Sequence, residues 1–117
     1  MNTINEFYRV KRITNALGWS IHPNIPDIAY PPNQRPLGFN DYPDNWIIAG
    51  KCIEIAAKQN WMIDFKFGYC RFVQLESGSV YHKTPWFSVE NWGYSGAILR
   101  AFLDVLDDKP FSRKISN

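Results

Sequence analysis

An α+β domain, in which three helices pack a three-stranded antiparallel sheet, is indicated by three features of this chain. Apolar residues recur at helical spacing over 44–59 and again over 95–107. Between them, residues 61–86 alternate with the period of strands. Glu76-Ser77-Gly78-Ser79 supplies a hairpin signal inside that stretch. With 117 residues the chain has room for one domain, 1–117, and for a core that needs no covalent staple.

The first helix is expected over 3–17. Thr3 and Glu6 fit a capping box, and Ile4, Phe7, Tyr8, Ile13, Ala16 and Leu17 form the stripe. Gly18 stands where a helix end favours a left-handed residue. Residues 19–43 contain Pro23, Pro26, Pro31, Pro32, Pro36 and Pro43, a spacing that predicts no regular element. Trp19, Ile21, Ile25, Ile28, Tyr30, Leu37, Phe39 and Tyr42 are interleaved with them, so the segment is expected to be an ordered loop packed on the body.

The helix at 44–59 follows Pro43, with Asp44 as its expected cap and Ile48, Ala49, Cys52, Ile55 and Ala56 facing inward. The first strand, 61–67, places Trp61, Ile63, Phe65 and Phe67 on one face and Met62, Asp64 and Lys66 on the other. The second, 69–75, sets Cys70, Phe72 and Gln74 against Arg71, Val73 and Leu75. The third runs over 80–86, and a short loop is expected at 87–94. The last helix, 95–107, opens at Ser95 and buries Ala97, Ile98, Ala101, Phe102, Val105 and Leu106. The polar tail at 110–117 is expected to fray.

Composition narrows the functional classes. Hydrophobic residues are 45% and charged residues 21%, which argues against disorder. A net charge of +2 is too small to imply a polyanionic partner. Cys52 and Cys70 sit in apolar patterns and read as buried thiols. No segment resembles a signal peptide or a membrane span, so a cytoplasmic protein is expected. Two histidines and two separated cysteines do not make a metal site, and no nucleophile has a base at a recognised spacing. Neither a cofactor, a metal nor an enzymatic activity is therefore expected.

The aromatic residues are the stronger clue. Five Trp, six Tyr and eight Phe exceed what a small core needs. Trp19, Tyr30, Arg35, Phe39, Tyr42, Trp86 and Trp92 lie near loops and element ends, where aromatics and arginine anchor interfaces by burying large area at low entropic cost. Sealing the ends of the domain is the competing use for these rings. An alternative binding set is Lys66, Arg71 and Lys83, which could meet the phosphate of a nucleotide whose base stacks on an aromatic. Lys66-Phe67-Gly68-Tyr69-Cys70-Arg71-Phe72 resembles the first ribonucleoprotein motif of RNA-recognition domains. One glycine position of that motif is missing and the element order differs, so direct nucleic-acid binding is not favoured.

Three stretches together resemble a known family. Leu17-Gly18-Trp19 leads the Pro-rich loop. Tyr42-Pro43-Asp44 opens a helix of small residues that ends at Asn60-Trp61. Three strands then lead to Ala97-Ile98-Leu99-Arg100-Ala101-Phe102-Leu103. This order is similar to that of the small phage ABA-sandwich domains, in which helices flank a short antiparallel sheet. The likeness covers residues 17–107, although Tyr42-Pro43-Asp44 stands where the family usually has Tyr-Ser-Thr-Asp. It implies a phage or prophage accessory protein, acting in the cytoplasm of a bacterial host, and no catalytic residues. The corresponding expectation is a non-catalytic inhibitor of a host protein or ribonucleoprotein complex, of the counter-defence (anti-CRISPR-like) kind. A nucleotide or small-ligand binder is the alternative, and an RNA-binding module the next. Exposed strand edges would also permit a homodimer.

Overall fold

The structure, a computed structural model, describes the backbone of residues 3–22, 24–25 and 27–107, with side chains from Tyr8 onward. The expected capping contacts of Thr3 and Glu6, the stripe residues Ile4 and Phe7, Pro23, Pro26 and the tail at 110–117 lie outside the described residues and side chains.

The α+β class and the three helices are present. Helix α1, Thr3–Leu17, buries Val10, Ile13 and Thr14. Tyr8, counted in the expected stripe, is exposed, and the Arg12 guanidinium lies 5.6 Å from its ring centre. The inward arc therefore runs 10, 13, 14, 17, one helical face. Gly18 ends the helix at φ 76°, with Trp19 N–H donating to Thr14 and Gly18 N–H to Asn15, the paired bonds of a Schellman cap.

The Pro-rich segment is more regular than its sequence suggests. Three short strands, β1 (Ser20–Ile21), β2 (Ile28–Tyr30) and β3 (Leu37–Gly38), form a small antiparallel sheet in that order. Pro31, Pro32 and Pro36 fall between the strands rather than inside them. Proline is excluded from a strand interior because it lacks an N–H, but not from strand ends.

Helix α2, Asp44–Ala57, follows a cis Tyr42-Pro43 bond. Asp44 does not cap it. Its buried carboxylate accepts instead from Arg35 Nη2 at 2.6 Å, Arg35 Nη1 at 3.1 Å and the Gly38 N–H at 3.0 Å. One side chain thus staples the β2–β3 connection and β3 to the start of α2.

The main sheet contains β4 (Trp61–Lys66), β5 (Tyr69–Glu76) and β6 (Ser79–Lys83) in antiparallel order, with β7 (Phe87–Ser88) also paired to β5. The two hairpins turn on Phe67-Gly68 and Ser77-Gly78, all at positive φ, as two-residue turns of type I′ require. Phe67 is therefore a turn residue, not the last inward residue of a strand. The third strand stops at Lys83, short of the expected 86. Thr84 continues the pairing, its N–H donating to Phe72 and its Oγ1 accepting the Phe72 N–H. Pro85 then removes the next donor, and the chain re-enters the sheet as β7.

Residues 87–94, expected as a loop, hold β7 and the first turn of α3, Val89–Asp107. Ser88 Oγ accepts the Asn91 N–H at 3.1 Å and so caps that turn. The helix breaks at Gly93, where φ is 72° and ψ 168°, and resumes near the expected start.

The register sorts the sheet into two faces. Trp61, Ile63, Cys70, Phe72, Gln74 and Phe87 share one face with α2 and α3, where Phe72 meets Phe102 edge-on at 6.3 Å. Met62, Asp64, Lys66, Tyr69, Arg71, Val73 and Lys83 share the other. Val73 is buried yet stands apart from the core cluster, consistent with its place on that second face.

Candidate functional site

The second face of the main sheet carries an open groove at the β4–β5 hairpin. Its volume is about 320 Å³, and Lys66, Phe67, Tyr69 and Trp86 line it. Lys66 and Tyr69 are directly paired across the hairpin. Trp86 reaches the groove from the segment between β6 and β7. The Arg71 guanidinium lies 4.1 Å from the Trp86 ring centre, while its Nε donates to Asp64 Oδ2 at 3.0 Å. Arg71 thus holds the indole in place and is itself oriented by a carboxylate.

Phe67 dominates the rim. It is 90% exposed, and its φ of 49° is a conformation that bulky residues rarely adopt. Packing cannot account for the ring, because it packs on almost nothing. The Lys66 ammonium lies 5.7 Å from its centre. The hairpin is anchored from below, where Gly68 C=O accepts the Val89 N–H at 2.9 Å.

On the helix side of the same hairpin a second group of rings is half exposed. Tyr94 touches Phe65 edge-on at 5.9 Å and Trp46 at 6.2 Å.

The expected interface residues are dispersed by the fold. Phe39 is 7% exposed and belongs to the core, so it is not a surface anchor. Trp19 is partly buried against that core. Arg35 is committed to Asp44, whose carboxyl is held below the usual carboxylate range, first by Arg35 and then by the Gly38 N–H. Tyr30 stacks with His22 at 5.7 Å on the small sheet, and Tyr42 is 80% exposed beside the start of α2. Trp92 lies under Arg100, 3.6 Å from the guanidinium, and Arg100 Nη1 donates to Gly96 C=O at 3.3 Å. Burial, with Arg9 nearby, pushes Arg100 down to about 10.

Of that set only Trp86 lines the groove. The alternative set is less dispersed: Lys66, Arg71 and Lys83 share the sheet face that bears the groove. Phe67 and Tyr69 stand in neither expected set, although both lie in the segment that resembles the ribonucleoprotein motif. Their signal was present, since Gly68 two residues after Lys66 fits a two-residue turn with Phe67 at its first position.

Among the described residues, no group of three or more His, Cys, Asp and Glu side chains is placed to hold a metal ion. No described helix is long and apolar enough to cross a membrane. No family model matches the chain, and neither a curated protein nor a solved structure is significantly similar to it.

Proposed function

We propose that the chain is a non-catalytic binding protein that occludes a macromolecular partner through the groove at the β4–β5 hairpin. The exposure of Phe67 at a strained turn position carries this reading. A bulky ring at positive φ costs free energy and contributes little packing, so a role outside the folded monomer is the economical explanation. Tyr69, Trp86 and Arg71 around it are the residue types that dominate binding hot spots. The order of elements resembles that of small phage domains, which supports a phage or prophage accessory protein. In that setting the partner is a host protein or ribonucleoprotein complex in the bacterial cytoplasm, and the role is counter-defence inhibition of the anti-CRISPR kind.

The test is retention of a host complex by the immobilised chain, compared with Phe67→Ser, Trp86→Ala and Tyr30→Ser. Affinity is expected to fall by about tenfold or more for the first two, as at a hot spot, and to stay unchanged for the third. Equal retention by all four proteins removes the groove from the reading. If the natural host yields no complex at all, the inhibitory role goes with it.

A nucleotide or single-stranded RNA ligand is the second reading, favoured by the placement of Lys66, Arg71 and Lys83 on the face that carries Tyr69. A base stacked on Tyr69 or Trp86 would leave its phosphate near these cations. A ligand at 100 times its dissociation constant adds about 2.7 kcal/mol of stability. A nucleotide and oligonucleotide panel that leaves the melting temperature unmoved eliminates this reading.

A further inference from the structure

We infer that the free edge of β4 is a self-association surface, through which two copies of this chain pair antiparallel about a twofold axis at Phe65. The inference is independent of the proposed function, because it needs no other partner.

The backbone carries the first part of the argument. Lys66↔Tyr69 closes a two-residue hairpin, so these two residues exchange hydrogen bonds, as do Asp64↔Arg71 and Met62↔Val73 at every second pair. The bond from the Leu75 N–H to the Asn60 C=O fits the same phase. The N–H and C=O groups of Ile63 and Phe65 therefore point away from β5, toward an edge where no strand pairs among the described residues. A row of such groups is a template for one kind of occupant, another strand.

The other side of the sheet is blunted. There β6 carries an extra residue, Tyr81, between the pairs Gln74↔His82 and Leu75↔Val80. Pro85 then interrupts the edge, and β7 has two residues. By contrast β4 has six residues, unbroken by bulge or proline. Edges left regular are those that pair.

Self-complementarity selects a second copy over an unrelated strand. With Phe65 opposite Phe65 of the second copy, Asp64 stands opposite Lys66, and the symmetry repeats that charge pair. The same operation covers an apolar cluster. Phe65, Trp46 and Tyr94 are 48%, 42% and 54% exposed, and Tyr94 meets the other two rings on the helix side of the hairpin. A twofold at Phe65 sets the two clusters against each other. The axis stands perpendicular to the sheet, so both groove-bearing faces look the same way.

Sedimentation equilibrium on the full chain tests the assembly, with twice 13.6 kDa as the expected mass. Lys66→Asp, which brings like charges together across the axis, is expected to weaken association by about tenfold. Phe65→Cys should form a disulfide-linked dimer rapidly under mild oxidation, because Cα atoms across such a pair lie about 5.5 Å apart. Val80→Cys, exposed on the blunted edge, should not. Both variants are made on a Cys70→Ala background, because Cys70 is the direct cross-strand partner of position 65 and would otherwise capture the new thiol within one chain, whereas Cys52 is buried in the core. A monomer mass at every concentration, or equal cross-linking by Phe65→Cys and Val80→Cys, overturns the inference.

Discussion

Phe67 has a conformation and an exposure that work against the stability of the monomer. Asparagine accepts a left-handed turn position far better than phenylalanine. Phe67→Asn is therefore expected to raise unfolding stability by about 1 kcal/mol in urea titrations while weakening partner binding. The opposite behaviour is expected of Phe102, which is fully buried against Phe72. Phe102→Ala should cost about 3–5 kcal/mol in the same measurement. The two cysteines are inert for the same reason that Phe102 matters. Burial pushes the Cys70 thiol up to about 11 and the Cys52 thiol higher still. Neither should react with a thiol reagent at about pH 8 until the protein opens, so labelling kinetics report unfolding.

Two elements depend on single residues. Helix α3 turns at Gly93 through a backbone conformation that is essentially restricted to glycine. Gly93→Ala should destabilise by about 1–3 kcal/mol, because no side chain relaxes that strain while β7 and the helix body stay in place. The start of α2 depends on Asp44. Its carboxyl is held below the usual range, so the folded chain releases that proton more readily than the unfolded chain does. The staple's contribution is complete above the unfolded-state value and is lost as pH falls through the folded one. The acid limb of a stability profile, between about pH 5 and pH 2, should accordingly be shallower in Asp44→Asn than in the parent. Both variants are read by denaturant midpoint, the second as a function of pH.

Across the molecule, a helix pair and a sheet enclose one core, and the small sheet with α1 closes its other side. Helix α1 is tied to the end of α3 by the ion pair from Arg12 to Asp107 at 2.6 Å. Contacts of α1 and of β3 with the helix pair place the Pro-rich segment on the side away from the main sheet's second face. Among the described residues that leaves Met62, Lys66, Tyr69 and Lys83 of the second face exposed around a buried Val73, and it concentrates exposed aromatics at the β4–β5 hairpin. If β4 pairs with a second copy, two such grooves face one way, and a partner able to reach both would gain avidity without any new contact.

Local patterning was enough to read the helices, the main strands and the two faces of β4 and β5. Helical and strand periods are properties of consecutive residues, and Gly18 and Ser77-Gly78 mark their ends. Composition alone also indicated that the Pro-rich segment was too apolar to be a linker. What sequence could not reveal depended on partners distant along the chain. Asp44 reads as a cap until Arg35 and Gly38 are brought beside it. Phe39 reads as a surface anchor until β3 lies against α2. The strands β1–β3 are two or three residues long, too short for a periodic signal, and exist only because they pair. The groove is of the same kind. Trp86 joins Lys66, Phe67 and Tyr69 only because β7 returns to β5, so residues about twenty positions apart share one surface. Period and turn chemistry are encoded locally, whereas a site assembled across strands is a consequence of register, and register is decided by tertiary packing.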